Sequence, residues 1–330
     1  MPEARTVVVA THGHCLDGLC SAALFTRLLR HVEEVSGGAP LDFSYFAAGY
    51  GPGENGVPEE RLSGDVNAIL DYRFSTSERL TWYFDHHVSA FPTDADRRVF
   101  AERSAEPGEG RMFHDGAYGS CTKLIADVGA RRFGLDSGPV AELVRWADMI
   151  DSASFPSAQM AVEKKEPVLK LMTVVESVGD AAFTARYVPE LLERSIEDVA
   201  RAPEIMELYA PIARAQERFV ELVAHKAVLV GRSVLVDLTE GELDVAPKFV
   251  TYALYPTSAY SVVVTRSRKK CKLSIGYNPW SNIPRLHDIA SICERHGGGG
   301  HPVVGAVSLP AVEVDRAREL ATDIARELGA

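Results

Sequence analysis

Apolar positions along the first ninety or so residues alternate between two periods. Residues 6–10 are a short β-branched run, a polar glycine-containing turn follows, and Leu19, Ala22, Phe25, Leu29 and Val32 then recur at helical spacing. This predicts a strand, a loop and a helix. Further short runs at 41–46, 66–70 and 81–84 are separated by Gly, Pro and Ser clusters or by short helical stretches. Such alternation predicts a largely parallel sheet covered by helices.

From about residue 120 to 225 the pattern is mainly helical, at 121–133, 139–150, 166–178 and along a stretch that starts at Pro203. Runs rich in β-formers return at 227–236, 260–265 and 270–275, with helical patterns at 247–254, 286–296 and 312–328. A chain of 330 residues is long enough for two domains, each with its own core. The expected division is a domain at 1–200, a helical linker at 201–226 and a second domain at 227–330. The expected fold class is therefore α/β. A parallel-sheet N-terminal domain with a helical segment is joined by the linker to a smaller α/β C-terminal domain, with the active site in the cleft between them. No internal repeat, heptad array or low-complexity tract interrupts this reading.

Composition narrows the partners. With 46% apolar and 25% charged residues the chain is ordinary globular material, and a net charge of −11 disfavours a surface that tracks long duplex DNA, since such binding is largely phosphate neutralisation. Five scattered cysteines form no C-x-x-C pair, no run approaches the roughly 20 apolar residues that span a bilayer, and no signal-peptide pattern opens the chain. A reduced, cytoplasmic protein without a membrane partner is expected.

Ligand sites in open α/β sheets lie just beyond the strand carboxyl ends, and three such ends carry ionisable residues here. The first strand is followed by Thr11-His12-Gly13-His14-Cys15-Leu16-Asp17-Gly18, the third run ends at Asp71, and the fourth ends in Asp85-His86-His87. A later helix ends in Trp146-Ala147-Asp148-Met149-Ile150-Asp151. Imidazole and carboxylate at one rim suit a manganese-, magnesium- or zinc-type site, and a shared carboxylate can hold two divalent ions about 3.5 to 4 Å apart. Asp71, at an interior strand end, is the candidate bridge. Any one of these residues could be a helix cap or a hydrogen-bonded histidine; three such ends together are hard to explain that way. In the second domain, Arg266, Arg268, Lys269, Lys270 and Lys272 crowd one strand, and Gly297-Gly298-Gly299-Gly300 lets backbone N–H groups approach an anion ahead of His301. Tyr277 and Trp280 suit either base stacking or a core. Ser120-Cys121-Thr122 opens a helix and suits a cap.

With these motifs the chain resembles the DHH phosphoesterase superfamily, in the branch carrying the DHH-associated C-terminal domain. Asp85-His86-His87 is the namesake motif; His12 to Gly18 is similar to the first motif, Asp71 to the second and 148–155 to the fourth, and the glycine run with His301, then Gly305-Ala306, is the final hallmark. The resemblance implies that His12 and Asp17 hold one metal, that Asp71 bridges, and that His86 with Asp151 or Asp148 holds the other. Asp151 is preferred because Asp-Ser-Ala-Ser-Phe is similar to the family's Asp-Thr-Gly-x-Phe. Asp85, orienting a ligand histidine, and His87, facing the substrate phosphate or the attacking water, form the implied catalytic pair. Arg268, Lys270, Gly299, Gly300 and His301 are the implied substrate-binding residues. Two Mn2+ ions are expected, with Mg2+ or other divalent ions allowed. Most relatives supply two aspartates in the first motif, whereas this chain has Cys15 and Asp17 at an altered spacing from His12. A Cys15 thiolate would shift preference towards zinc or iron, although a small buried residue is the commoner fate of cysteine.

The implied function is hydrolysis of phosphodiester bonds in short oligonucleotides or small nucleotides, exonuclease-like, by a metal-activated water. Two alternatives stand beside it: a phosphoanhydride hydrolase of the pyrophosphatase or exopolyphosphatase kind, against which the Gly-Gly-Gly-Gly-His ending argues, and a degenerate nucleotide-binding protein. A short oligonucleotide or nucleotide is the expected partner, and a homo-oligomer is left open.

Overall fold

In the computed structural model, which describes residues 3–49, 56–105, 110–243 and 249–330, the N-terminal runs form β1 (Arg5–His12), α1 (Leu16–Ser36), β2 (Leu41–Ala48), β3 (Val66–Leu70), β4 (Trp82–Asp85), α2 (Asp94–Ser104) and β5 (Met112–His114). The strands make one sheet in the order β2-β1-β3-β4-β5, and every pairing is parallel. Every residue of β3 and β4 is buried. That accounts for their nearly unbroken apolar sequences, Val-Asn-Ala-Ile-Leu and Trp-Tyr-Phe-Asp, because a central parallel strand is covered on both faces. Helix α1 buries Leu19, Ala22, Phe25 and Leu29, the stripe that the helical spacing picks out.

The helical stretch consists of α3 (Cys121–Phe133), α4 (Ala141–Asp151), α5 (Ala158–Glu163), α6 (Pro167–Val178), α7 (Ala181–Glu193), α8 (Ile196–Ala200) and α9 (Pro203–Lys226). Helices α3, α4 and α7 pack against α1. The chain divides into two units: Met1–Ser154 with Glu166–Ala210, and Phe155–Lys165 with Pro211–Ala330. The segment read as a linker is thus one helix shared by both units, and α5 belongs to the second.

The second unit continues with β6 (Ala227–Val230), β7 (Ser233–Glu242), α10 (Val250–Leu254), β8 (Tyr260–Arg266), β9 (Lys270–Tyr277), α11 (Ile289–Glu294), β10 (Gly299–His301), β11 (Val304–Pro310) and α12 (Val314–Gly329). The run 227–236 is a hairpin rather than one strand, with β6 antiparallel to β7. Of the helix expected at 247–254, residues 247 and 248 lie outside the described residues. The sheet order is β10-β11-β9-β8-β7-β6, with β7 and β8 parallel and the other pairs antiparallel. Helix α12 buries Ala317, Ala321, Ile324, Ala325 and Leu328 and packs on β7, β8 and β9. Strand β10 has no signal in the pattern, since glycine is a poor strand former, and β11 is a further strand that the pattern does not pick out. Among the described residues no helix is long and apolar enough to cross a membrane.

Candidate metal centre

The order β1-β3-β4 places the ends of three donor-bearing strands side by side at one edge of the sheet. His12 closes β1. Asp71, just past β3, takes a left-handed backbone conformation (φ 55°), tolerable for an aspartate, while its N–H donates to the Phe84 carbonyl at 2.9 Å. Asp85 closes β4, and His86 and His87 follow.

Helix α1 returns tightly against β1. A Cβ built on Gly18 would lie 2.1 Å from the His12 carbonyl oxygen, so only glycine lets the helix start this close, and Thr11 Oγ1 donates to the Gly18 carbonyl at 2.8 Å. That approach brings Asp17, in the first turn of α1, to the N-terminus of α3. Its carboxylate accepts from the Cys121 N–H at 2.7 Å and the Thr122 N–H at 3.0 Å, two helix-terminal donors that suit an anion. Ser120 caps the same helix by accepting from the Lys123 N–H. The Ser120-Cys121-Thr122 segment therefore both caps and presents N–H groups.

Asp71 is the hub. It is fully buried, with His12 Nδ1 at 3.7 Å, His86 Nε2 at 3.6 Å and His87 Nδ1 at 3.6 Å. His86 Nε2 also lies 3.1 Å from Asp151 and 3.9 Å from Asp17. Asp148 turns elsewhere, pairing with Lys123 Nζ at 3.0 Å and accepting weakly from Ser120 at 3.4 Å. Of the two fourth-motif aspartates, then, it is Asp151 that joins the cluster.

The histidines are oriented from behind. His86 Nδ1 lies 3.1 Å from the Tyr118 carbonyl, which can only accept; Nδ1 therefore carries a proton, and Nε2 is the atom turned to the carboxylates. Asp85 is buried and accepts from His87 Nδ1 at 2.8 Å, from the backbone N–H groups of His86 and His87, and from the Tyr83 hydroxyl. It is thus His87 that Asp85 orients through the ring. His114, which the sequence leaves unplaced, has its Nε2 2.8 Å from the His87 carbonyl oxygen. Neither Tyr118 nor His114 announces these roles in the sequence, because Tyr118 acts through its own carbonyl and His114 through a ring nitrogen set against the carbonyl of His87.

Charges in the cluster are strongly coupled. Burial would raise the Asp71 carboxyl, but the surrounding imidazoles bring it down to about 2. Burial would lower His86, yet Asp151, Asp71 and Asp17 outweigh that and raise it to about 11. Asp17 is pushed well above the usual carboxylate range by burial and by repulsion from Asp71 and Asp151. The site is overloaded with carboxylate and borrows protons to balance it.

A divalent cation fits this donor set. Both oxygens of Asp71 and Nε2 of His86 are buried without a hydrogen-bond partner, His86 being near Asp151 but not aligned with it. Buried polar atoms left so are costly, and a cation supplies the missing interaction. Among the described residues three groups place one ligand atom per residue within 4.8 Å of one another: His12, Cys15 and Asp71; Asp71, His86 and His87; and Asp17, His86 and Asp151. Asp71 is common to two of them.

In the second unit, Arg268 is exposed and pairs with Glu242 at 3.1 Å, and Lys270 begins β9 in an exposed position. Gly299, Gly300 and His301 form the exposed edge strand β10. Gly300 also has a packing reason to be glycine, since a Cβ there would lie 2.3 Å from the Val304 carbonyl oxygen across the hairpin. Tyr277 and Trp280 direct their polar atoms inward, to the carbonyls of Ile283 at 2.6 Å and Phe155 at 2.7 Å, which suits the core role.

Comparison with solved structures finds the fold of this chain in other proteins. The pGpG-specific phosphodiesterase PggH from Vibrio cholerae is 17% identical, matching 97% of this chain and 98% of its own with a TM-score of 0.65. A DHH domain from a member of a ribosomal-protein family is 11% identical over 99% of this chain and 88% of its own, with a TM-score of 0.50. No protein-family model and no curated protein matches the sequence.

Proposed function

We propose that this chain is a metal-dependent phosphodiesterase that hydrolyses short oligonucleotides or dinucleotides. The observation that carries the reading is the fully buried Asp71 carboxylate, unpartnered by hydrogen bonds and flanked by three imidazoles. The fold it shares with PggH, described as specific for pGpG, favours a small diester. Five free cysteines suit a reducing compartment such as the cytoplasm.

His12 and Asp71 would hold one divalent ion; Asp17, which the resemblance pairs with His12, stands instead with His86 and Asp151, and these three would hold the other, with Asp71 shared; two divalent ions are proposed, Mn2+ at the Asp17, His86 and Asp151 position. When bound, such ions supply Lewis acidity towards water and phosphoryl oxygens. The chain's own groups do the rest. Asp85 fixes the His87 ring by its Nδ1, leaving Nε2 to hold or pass a proton at the attacking or leaving oxygen. The Tyr118 carbonyl keeps the His86 ring turned to the carboxylates. In the second unit Arg268, Lys270, Gly299, Gly300 and His301 are proposed to grip a substrate phosphate, with charge-assisted bonds from the cations and N–H groups from the glycines.

A chromatographic assay with manganese added, run on a linear dinucleotide, a bisphosphorylated nucleoside, pyrophosphate and polyphosphate, tests the proposal. Cleavage of the dinucleotide to mononucleotides is expected. Turnover of the phosphoanhydrides alone would replace it with the pyrophosphatase reading, and tight nucleotide binding without turnover under any divalent ion would replace it with a binding protein.

A further inference from the structure

Four of the five cysteines, Cys20, Cys121, Cys271 and Cys293, are buried, and Cys15 alone is partly exposed. It stands in extended conformation at the N-cap of α1, where its side chain makes no capping hydrogen bond. Its Sγ is one of the three ligand atoms, with a His12 nitrogen and an Asp71 oxygen, that lie within 4.8 Å of one another. The group formed by Asp17, His86 and Asp151 offers only nitrogen and oxygen. Asp71 points independently to a cation here, being wholly buried with both oxygens lacking a hydrogen-bond partner.

We propose that Cys15 is a metal ligand, making the position it shares with His12 and Asp71 selective for a soft ion such as zinc, iron or cobalt, while the Asp17, His86 and Asp151 position takes manganese or magnesium. The inference rests on the metal-dependent reading and divides its two ion positions by chemistry. Coordination replaces the S–H bond of Cys15 by a sulfur–metal bond and releases the proton to solvent. A thiolate among otherwise hard ligands biases a site towards softer ions. Cys121 serves as a contrast: it is fully buried and its Sγ is turned to the Phe84 carbonyl at 3.2 Å.

The test is a cobalt titration of the full chain after chelator treatment. An intense near-ultraviolet sulfur-to-cobalt charge-transfer band should appear and saturate at one ion per chain. Cys15→Ser should lose that band, keep the weaker visible cobalt absorption, and bind zinc at least about tenfold more weakly, the lower end of what losing even an outer partner costs a metal site. Cys15→Asp, which restores the oxygen donor usual in the first motif, should fold, retain manganese and show no band, separating loss of the ligand from loss of the fold. In the parent chain, zinc should protect Cys15 from a thiol reagent. Cobalt binding without a charge-transfer band, or a band undiminished in Cys15→Ser, would overturn the role of Cys15 and leave the metal centre standing. Absence of any bound cobalt would overturn both.

Discussion

Replacing Asp71 by asparagine isolates the charge at the hub of the site. Asparagine keeps the volume and tolerates the left-handed backbone at φ 55°, whereas alanine would add about 1–2 kcal/mol of strain. In the metal-free chain the carboxyl is held at about 2 against its ordinary 3.8. At roughly 1.4 kcal/mol per pKa unit, the charged form contributes about 2 kcal/mol to folding. The folded pKa is depressed, so this contribution is complete above pH 3.8 and lost as the pH falls through about 2. Relief of repulsion with Asp17 and Asp151 offsets part of it, which makes about 2 kcal/mol an upper figure for Asp71→Asn at neutral pH. The functional loss should be larger. Removing the shared ligand should leave one bound ion or none and slow dinucleotide hydrolysis by at least about a hundredfold, some 2.7 kcal/mol of barrier. Denaturation of the chelated protein, metal analysis and a saturating-substrate rate measurement read these quantities separately. An Asp71→Asn chain that keeps the parent's metal content and most of its turnover would refute the shared-ligand assignment.

Asp151→Asn should lose bound metal, whereas Asp148→Asn should keep it and cost no more than about 1 kcal/mol, because its pair with Lys123 is substantially solvated; equal metal loss in the two variants would contradict the geometry. His86 is raised to about 11 from an ordinary 6.5, so its contribution to the metal-free fold is complete below pH 6.5 and lost as the pH rises through about 11. A bound ion must displace that proton, and metal affinity measured by chelator competition should climb up to about tenfold per pH unit above neutrality, not stay flat. Gly18→Ala pushes a methyl group to 2.1 Å from the His12 carbonyl oxygen and should destabilise the chain by about 1–3 kcal/mol in chemical denaturation; a neutral result would show that α1 does not need so close an approach. His301→Ala should raise KM roughly tenfold with kcat largely retained, as expected for a group that binds substrate and transition state alike; an unchanged KM would remove His301 from the substrate site.

The first sheet is legible because parallel central strands write themselves as apolar runs, and the donors follow those runs directly: His12, Asp71 and Asp85 stand where β1, β3 and β4 end. What the sequence conceals is carried by the backbone. Nothing in Cys121 or Thr122 as residue types announces that their N–H groups hold Asp17, and nothing in Tyr118 or His114 signals the carbonyl contacts that steady the two histidines. Asp148 and Asp151, three residues apart near the end of α4, lie on neighbouring turns of one helix face, and Lys123 on α3 decides between them by claiming Asp148. Strand β10 escapes notice because a glycine run reads as a loop even when it pairs along a hairpin.

Neighbouring strands stand about 4.8 Å apart, so the distances between the donors on β1, β3 and β4 are inherited from the peptide ladder more than from side-chain rotamers. A slip of one residue in β3 would bring Leu70 or Tyr72 to the place of Asp71 and turn every side chain of that strand to the wrong face. Such a chain could keep its outline but would forfeit its grip on the ions. On the proposed metal-dependent reading, divalent cations would act as proofreaders of strand alignment, rewarding only the copy that is threaded correctly, and refolding yield should climb when they are supplied from the outset.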